Sequence, residues 1–557
     1  MKDKKIIKNG AEIVISVLIE QGVTEIFGYP GGTILNVYDE LYKNQDKIKH
    51  YLTAHEQAAT HAADAYARVT GKVGVCFATS GPGATNLVTG IANAYMDSIP
   101  IVAITCNVAK SLLGKDSFQE VDIAGITMPI TKHNYIVGNI EELADVLREA
   151  FYIAKEGRPG PVLIDIPKNI TVEETEFIEK TPEEYIPSME SSKEDIEKVA
   201  EKINKAKNIF ILAGGGVITA NASNELRELV NKLDAPVALT LMAQGAVSSY
   251  DPHFTGMIGM HGTKSSNLGL KASDMLIAIG TRFSDRVLTS ASQFIKKISV
   301  IHIDIDSAEI NKNIGSNYQL IGDAKVVLKN LLPLIKERKN PEFLETVHGF
   351  SRGDKVDRTQ MTPYNIISHI SDMTKGDAII TTEVGQHQMW AARYYRYTKP
   401  RTLITSGGLG TMGFGTGASI GSQVAAKDKK VIAIAGDGSF RMNSTELATI
   451  SYYNLPIIIV ILNNKTLGMV RQWQTLFYEK RYSQTNLDRG PDFVKLADAY
   501  NIDGYRANTL EEFKSVFDKA LAKGVPTLID ANINIDECVY PMVEAGKSID
   551  KMITSLT

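Results

Sequence analysis

At 557 residues the chain is too long for one hydrophobic core and is expected to divide into about three domains. Hydrophobic residues at 44%, a mean hydropathy of -0.08 and a net charge of -4 describe a soluble globular protein, without the basic footprint of a nucleic-acid binder. Three scattered cysteines, Cys76, Cys106 and Cys538, exclude a disulfide framework and a cysteine metal cluster, and fit a reducing, cytoplasmic setting.

The N-terminal stretch from Met1 to Val23 sets basic residues before an apolar run, but Glu12 and Glu20 interrupt it. It reads as an amphipathic first helix. No run reaches the roughly twenty apolar residues that span a bilayer, so no membrane association is expected. From residue 1 to about 175, helical patterns alternate with apolar strands at Val73 to Ala78, Ile101 to Thr105 and Val162 to Ile166. The acidic stretch Val172 to Asp195 reads as a linker. A second block, 190–345, carries strands at Ile209 to Ala213, Val237 to Leu241, Met275 to Ile279 and Val300 to Ile305, and ends in the charged run Lys336 to Pro341. A third, 361–557, carries strands at Ala378 to Thr382, Thr402 to Thr405, Val431 to Ala435, Ile457 to Leu462 and Thr527 to Ala531. Such alternation predicts an α/β protein of three doubly wound parallel-sheet domains.

The most informative stretch runs from Val431 to Met469. A buried-strand pattern breaks into Gly436-Asp437-Gly438, and after an amphipathic segment a second strand ends in Asn463-Asn464. Two parallel strands joined this way put both turns at the same carboxyl edge, where open α/β sheets bind ligands. Asp437 and Asn464 then meet, and their hard oxygens suit Mg²⁺, which takes its remaining ligands from phosphate and water. The glycines let the backbone approach a diphosphate closely. Alone, Gly-Asp-Gly is a turn; the spacing of the two halves resembles the thiamine diphosphate signature.

Other segments are weak singly. Phe27 to Gly32 and Ser80 to Asn86 are glycine-rich strand-to-helix turns. Glu56, in His55-Glu56-Gln57, is by itself a first-turn carboxylate stabilised by the helix dipole. Gly214-Gly215-Gly216 lacks the spacing of a dinucleotide fingerprint. Asp304 and Asp306, on one face of Ile301-His-Ile-Asp-Ile-Asp306, read as a solvated strand end or as a ribose-binding one. His387 alone is a structural histidine, Met412 alone is packing, Arg286 alone is a surface arginine, and Trp473 alone is a buried tryptophan.

In order along the chain, Tyr29-Pro-Gly-Gly32, His55-Glu56-Gln57, Ser80-Gly-Pro-Gly-Ala-Thr-Asn86, Phe118-Gln119-Glu120, Thr131-Lys-His-Asn134 and Arg158-Pro-Gly-Pro-Val162, followed by the two halves above, resemble the catalytic subunit of the acetohydroxyacid (acetolactate) synthase family. The resemblance runs from Gly22 to about Ile549. It implies the cofactors thiamine diphosphate, Mg²⁺ and FAD. It also implies decarboxylation of pyruvate, with transfer of the two-carbon unit to a second pyruvate or to 2-ketobutyrate, in branched-chain amino acid biosynthesis.

By that resemblance Glu56 contacts N1′ of the aminopyrimidine, a contact that suits proton relay toward the reactive carbon. Phe118 and Gln119 line the active site and Lys132 lies at the substrate channel. The family's catalytic set continues with Arg286, which holds the carboxylate of the second keto acid, and Trp473, which shapes the acceptor pocket. FAD falls to Arg158, His261, Gly262, Arg282, Asp304 and Asp323. Val384, Gly385, Gln386, His387, Gly410, Met412, Gly436, Asp437, Gly438, Ser439, Asn464, Thr466, Gly468 and Met469 surround thiamine diphosphate, with Asp437, Asn464 and Thr466 on Mg²⁺.

The three blocks accordingly become pyrimidine-binding (1–175), FAD-binding (190–345) and diphosphate-binding (361–557) domains. The first domain of one subunit faces the third of its partner, so a homodimer or dimer of dimers is implied, with a small regulatory subunit as a further partner. Ala109 stands where the family usually has proline, Thr416-Gly417-Ala418-Ser419 where it commonly has Leu-Pro-Ala-Ala, and Glu544 where a proline or small residue is frequent. The rival readings are a pyruvate oxidase, a glyoxylate carboligase, or a non-catalytic nucleotide-binding scaffold.

Overall fold

The computed structural model describes residues 5–294, 298–352 and 357–555. Three six-stranded sheets, each wholly parallel, follow one another along the chain. The first has the order Lys49–Leu52, Glu25–Gly28, Gly74–Ala78, Ile101–Asn107, Val162–Pro167, His133–Ile136. The second runs Phe254–Met257, Val237–Leu239, Ile209–Ala213, Met275–Ile279, Ser299–Asp304, Tyr318–Ile321. The third runs Leu403–Ile404, Ile379–Thr382, Val431–Gly436, Ile458–Asn463, Thr527–Asn532, Asp503–Ala507.

Most central strands are those announced by apolar runs, because helices cover both faces and every side chain is buried; the interior strand Glu25–Gly28 is not among them, and the announced Leu403–Ile404 is an edge strand. The stretch read as a linker is partly ordered: Glu174–Phe177 pairs antiparallel with Ile6–Asn9, burying Phe177 against the first block. The first helix, Gly10–Glu20, begins at a capping box between Asn9 and Glu12. Among the described residues no helix is long and apolar enough to cross a membrane.

The first and third sheets share one hydrophobic core. Its centre is the contact between helix Glu56–Thr70 and helix Phe414–Ala425. Small residues let the backbones touch: a Cβ on Gly417 would lie 2.9 Å from the Ala58 carbonyl oxygen, and one on Gly421 only 2.0 Å from that of Ala62. Gly417, in the segment that departs from the family pattern, therefore has a packing role.

Candidate active site

The register of the third sheet pairs Gly436 with Leu462, so the turns after both strands open at one edge. Asp437 is buried and its Oδ2 has no hydrogen-bond partner. Burial pushes its carboxyl up to about 7, with Arg441 opposing. Asn464, also buried, uses its Nδ2 on Gln386 Oε1 at 3.3 Å and accepts the Thr466 N–H on Oδ1 at 3.3 Å. The Thr466 hydroxyl donates to the Thr485 carbonyl at 2.8 Å. At Gly468 a Cβ would meet Gln386 Oε1 at 1.9 Å and Asn464 Nδ2 at 2.6 Å, so a side chain there would displace both amides. Half-buried Met469 follows in the helix Gly468–Phe477.

Among the described residues no group of three or more His, Cys, Asp and Glu side chains is placed to hold a metal. A buried carboxylate oxygen without a partner beside an amide oxygen is nevertheless a good half-shell for Mg²⁺, which draws the rest from phosphate and water.

Three turns converge on one buried carboxylate. Glu383 Oε2 accepts the Gly413 N–H at 2.7 Å and the Ser439 hydroxyl at 2.8 Å, while Oε1 accepts the Thr416 N–H at 3.0 Å. Val384 and Gly385 follow directly and lead into helix Gln386–Tyr394, whose N-terminal end carries the positive pole of the helix dipole. His387 is buried, pushed down to about 3 by desolvation and therefore neutral, and its Nε2 has no partner. Gly410 and Met412 lie in the turn that ends at Gly413, and Gly438 and Ser439 in the turn after Asp437. The sequence gives no sign of the Glu383 hub, since its donors lie up to 56 residues away.

Glu56 opens helix Glu56–Thr70, with His55 as N-cap. Its Oε2 accepts from Asn86 Nδ2 at 2.9 Å, and its Oε1 faces Gly83, where a Cβ would sit 3.2 Å away. Gly81, at φ +60°, packs against the backbone of Gln119, itself at φ +59°. Phe118 beside it is 87% exposed, a large apolar side chain left without cover within one chain. Lys132 Nζ donates to the Ile153 and Glu156 carbonyls at 2.5 Å, closing the C-terminal end of helix Ile140–Lys155.

Arg158 reaches into the second block, donating to Asp306 Oδ2 at 3.1 Å and Glu309 Oε1 at 2.7 Å. There Asp304 is buried and its carboxyl is raised to about 6 by desolvation. Asp323 caps helix Ala324–Leu331 through the Lys325 and Val326 N–H groups. His261 is buried, lowered to about 3 first by desolvation and then by Arg393 and Arg286, and its Nδ1 is unpartnered. Gly262 packs on the Asn267 side chain, and Arg282 approaches Gly408 of the third block. Arg286 is largely exposed, its Nη1 3.6 Å from Met260 Sδ. Half-buried Trp473 stacks edge-on to Phe477 at 5.5 Å. The unpartnered His261 nitrogen and the half-satisfied Asp304 fit a ligand with ribose hydroxyls and ring N–H groups, as a flavin dinucleotide has.

Two half-sites result, one around Glu56 and one around Asp437. They are linked through the backbone before Glu56, where the Ala54 and His55 N–H groups donate to Glu446 of the third block.

The chain matches three family models: thiamine pyrophosphate enzyme, N-terminal TPP binding domain, over residues 8–126; the central domain of the same enzymes over 196–331; and their C-terminal TPP binding domain over 383–531. It is 45% identical to the acetolactate synthase large subunit of Cyanidium caldarium, over 99% of this chain and 98% of that protein. It is 45% identical to an acetolactate synthase of Mycobacterium bovis, over 98% of this chain and 91% of that protein. To the acetolactate synthase large subunit of Buchnera aphidicola from Schizaphis graminum it is 43% identical, over 98% of both chains.

Proposed function

The chain belongs to the acetolactate synthase family of thiamine pyrophosphate enzymes, and from that premise we propose that it decarboxylates pyruvate and transfers the two-carbon unit to a second pyruvate or to 2-ketobutyrate. The products are 2-acetolactate and 2-aceto-2-hydroxybutyrate. The observation that carries the reading is the Asp437 Oδ2 that lies buried and unpartnered in a turn that the strand register brings to the same sheet edge as Asn464. Thiamine diphosphate, when bound, supplies the electron sink for decarboxylation.

The residues divide that work. Asp437, Asn464 and Thr466 hold Mg²⁺, and through it the diphosphate, against the turns that Glu383 ties together. Helix Gln386–Tyr394 presents its N-terminus to the same negative charge. Met412 would support the bound cofactor. Glu56 holds or gives up a proton at the aminopyrimidine N1′ through Oε1, the oxygen Asn86 leaves free. Arg286 receives the carboxylate of the second keto acid, for which a guanidinium has matching geometry. Trp473 shapes the pocket for that acceptor.

FAD occupies the second block, held by Arg158, His261, Gly262, Arg282, Asp304 and Asp323, and undergoes no net redox change. A homodimer in which Glu56 of one subunit serves the diphosphate half-site of the other belongs to the same proposal. The exposed Phe118 marks the surface to be covered. The relatives named large subunits support a small-subunit partner for this chain as well.

The test is pyruvate turnover by the purified protein with thiamine diphosphate and Mg²⁺, with and without FAD, reading acetolactate, peroxide and flavin absorbance together. FAD-dependent acetolactate without peroxide or flavin bleaching supports the synthase. Peroxide or bleaching stoichiometric with CO₂ moves the assignment to an oxidase.

A further inference from the structure

The carboxylate of Glu446 is fully buried in the third block, yet two of its three donors, the Ala54 and His55 N–H groups, lie in the first. Oε1 accepts the backbone N–H groups of Ala54 and His55, both at 3.0 Å, while Oε2 accepts the Thr449 hydroxyl at 2.7 Å and shares the Ala54 N–H at 3.2 Å. These are the two amides that immediately precede Glu56. The rest of that loop is gripped from the same side: the Leu52 N–H donates to the Tyr453 hydroxyl at 2.8 Å, and Thr449 Oγ1 lies 3.4 Å from the Leu52 carbonyl. The backbone leading into Glu56 is therefore fixed by the third block across the domain boundary. The first helical turn makes no use of those two N–H groups, which without Glu446 would be part-buried donors with no acceptor in the protein.

We infer that Glu446 is a positioning residue for Glu56, setting from the neighbouring domain the backbone that aims the catalytic carboxylate. The inference rests on the reading of Glu56 given above. Its requirement is an acceptor at the place of Oε1, not a charge. Burial raises the Glu446 carboxyl above the ordinary glutamate range, and a neutral side chain that keeps the oxygen serves as well. Glu446→Gln retains that oxygen, with its amide N–H₂ turned to the Thr449 hydroxyl, which can accept. Glu446→Ala removes it. Displacement of a catalytic group by about an ångström lowers turnover on the order of 100-fold.

The experiment compares both variants with the parent by amide hydrogen exchange over residues 53–57 of the cofactor-free protein, by thiamine diphosphate binding, and by kcat and KM for pyruvate. Glu446→Ala should exchange these amides at least about 10-fold faster and lose about 10- to 100-fold in kcat. Thiamine diphosphate binding and pyruvate KM should stay within about threefold, and Glu446→Gln should restore both rates to within about threefold of the parent. Faster exchange with unchanged kcat overturns the inference alone. So do unchanged exchange, equal damage from Gln and Ala, or a uniform loss of binding and folding in the Ala variant. A parent protein that does not consume pyruvate, or a fully active Glu56→Gln variant, would instead overturn the reading of Glu56 and leave the exchange result standing.

Discussion

Asn86 Nδ2 donates to Glu56 Oε2 at 2.9 Å, so one oxygen of the carboxylate is occupied and the other faces the open backbone at Gly83. The amide selects which oxygen takes part in proton transfer and keeps the side chain from rotating. Removing a hydrogen bond to a charged group loses about 1.5–3 kcal/mol, or about 10- to 100-fold in rate if the whole effect falls on the transition state. Asn86→Ala should show that loss in kcat while remaining folded, and Glu56→Gln should be nearly inactive. An Asn86→Ala enzyme as fast as the parent would remove the amide from the mechanism.

Glu383 makes a prediction of a different kind, because its four acceptor contacts tie three turns into one surface. In Glu383→Leu the Thr416 N–H and hydroxyl and the Ser439 hydroxyl are buried without their acceptor, and the Gly413 N–H keeps only Ser439 Oγ at 3.3 Å. At about 1–3 kcal/mol for each orphaned donor, partly relaxed, the loss should be about 3–5 kcal/mol. Urea unfolding and a thiamine diphosphate titration check it together. Stability and binding should fall in the same variant, and a Leu variant with parental binding would show that the turns hold their places without the hub.

How much of this was legible in the sequence follows from burial. Most central strands were readable as apolar runs because both faces are covered. Five strands of the large sheets that the patterning does not announce, Lys49–Leu52, His133–Ile136, Phe254–Met257, Tyr318–Ile321 and Asp503–Ala507, lie at sheet edges, where half-exposed positions admit polar residues, whereas Glu25–Gly28 lies inside the first sheet and is legible only as the lead into a glycine turn. Asp437 and Asn464 could be paired from strand spacing alone, since parallel register forces their turns together. Glu383 and Glu446 could not. Each looks like an ordinary glutamate beside a strand or in a helix, and its role exists only through donors brought in by distant segments. Lys132 shows the converse: the motif draws attention to it, and the structure gives its ammonium two helix-terminal carbonyls.

Asp304 provides the pH-dependent test. The unfolded chain releases this proton near pH 3.9, whereas the folded protein, chiefly through burial and against the pull of Arg158, holds it to about 6. A raised carboxyl contributes stability that is fully present below about pH 4 and is lost as the pH rises through about 6. An asparagine side chain in its place cannot titrate and keeps an oxygen for the Asp306 N–H, bound at 3.0 Å in the parent. Asp304→Asn should therefore gain on the parent between about pH 4 and 8, by up to about 3 kcal/mol. Denaturant unfolding without added flavin measures this, and a difference that stays constant with pH would exclude it.

The contact between helices Glu56–Thr70 and Phe414–Ala425 makes the last prediction, one whose sign opposes the usual rule. Glycine to alanine inside a helix ordinarily stabilises by about 0.5–1 kcal/mol through the unfolded chain. At Gly421 the new methyl would lie 2.0 Å from the Ala62 carbonyl oxygen and 2.6 Å from its carbon, both backbone atoms that cannot turn aside. The helices must separate, and with them the two sheets that share this core, so Gly421→Ala should lose about 1–3 kcal/mol. Gly349→Ala, at the end of helix Pro341–Gly349 with nothing within 4 Å of its Cβ, is the control and should change stability by no more than about 0.5 kcal/mol. Because Glu56 begins the displaced helix, turnover should fall in Gly421→Ala along with the melting temperature. A Gly421→Ala protein as stable as the parent would mean that the two helices are free to part, and that the first and third domains are not held as one body by their shared core.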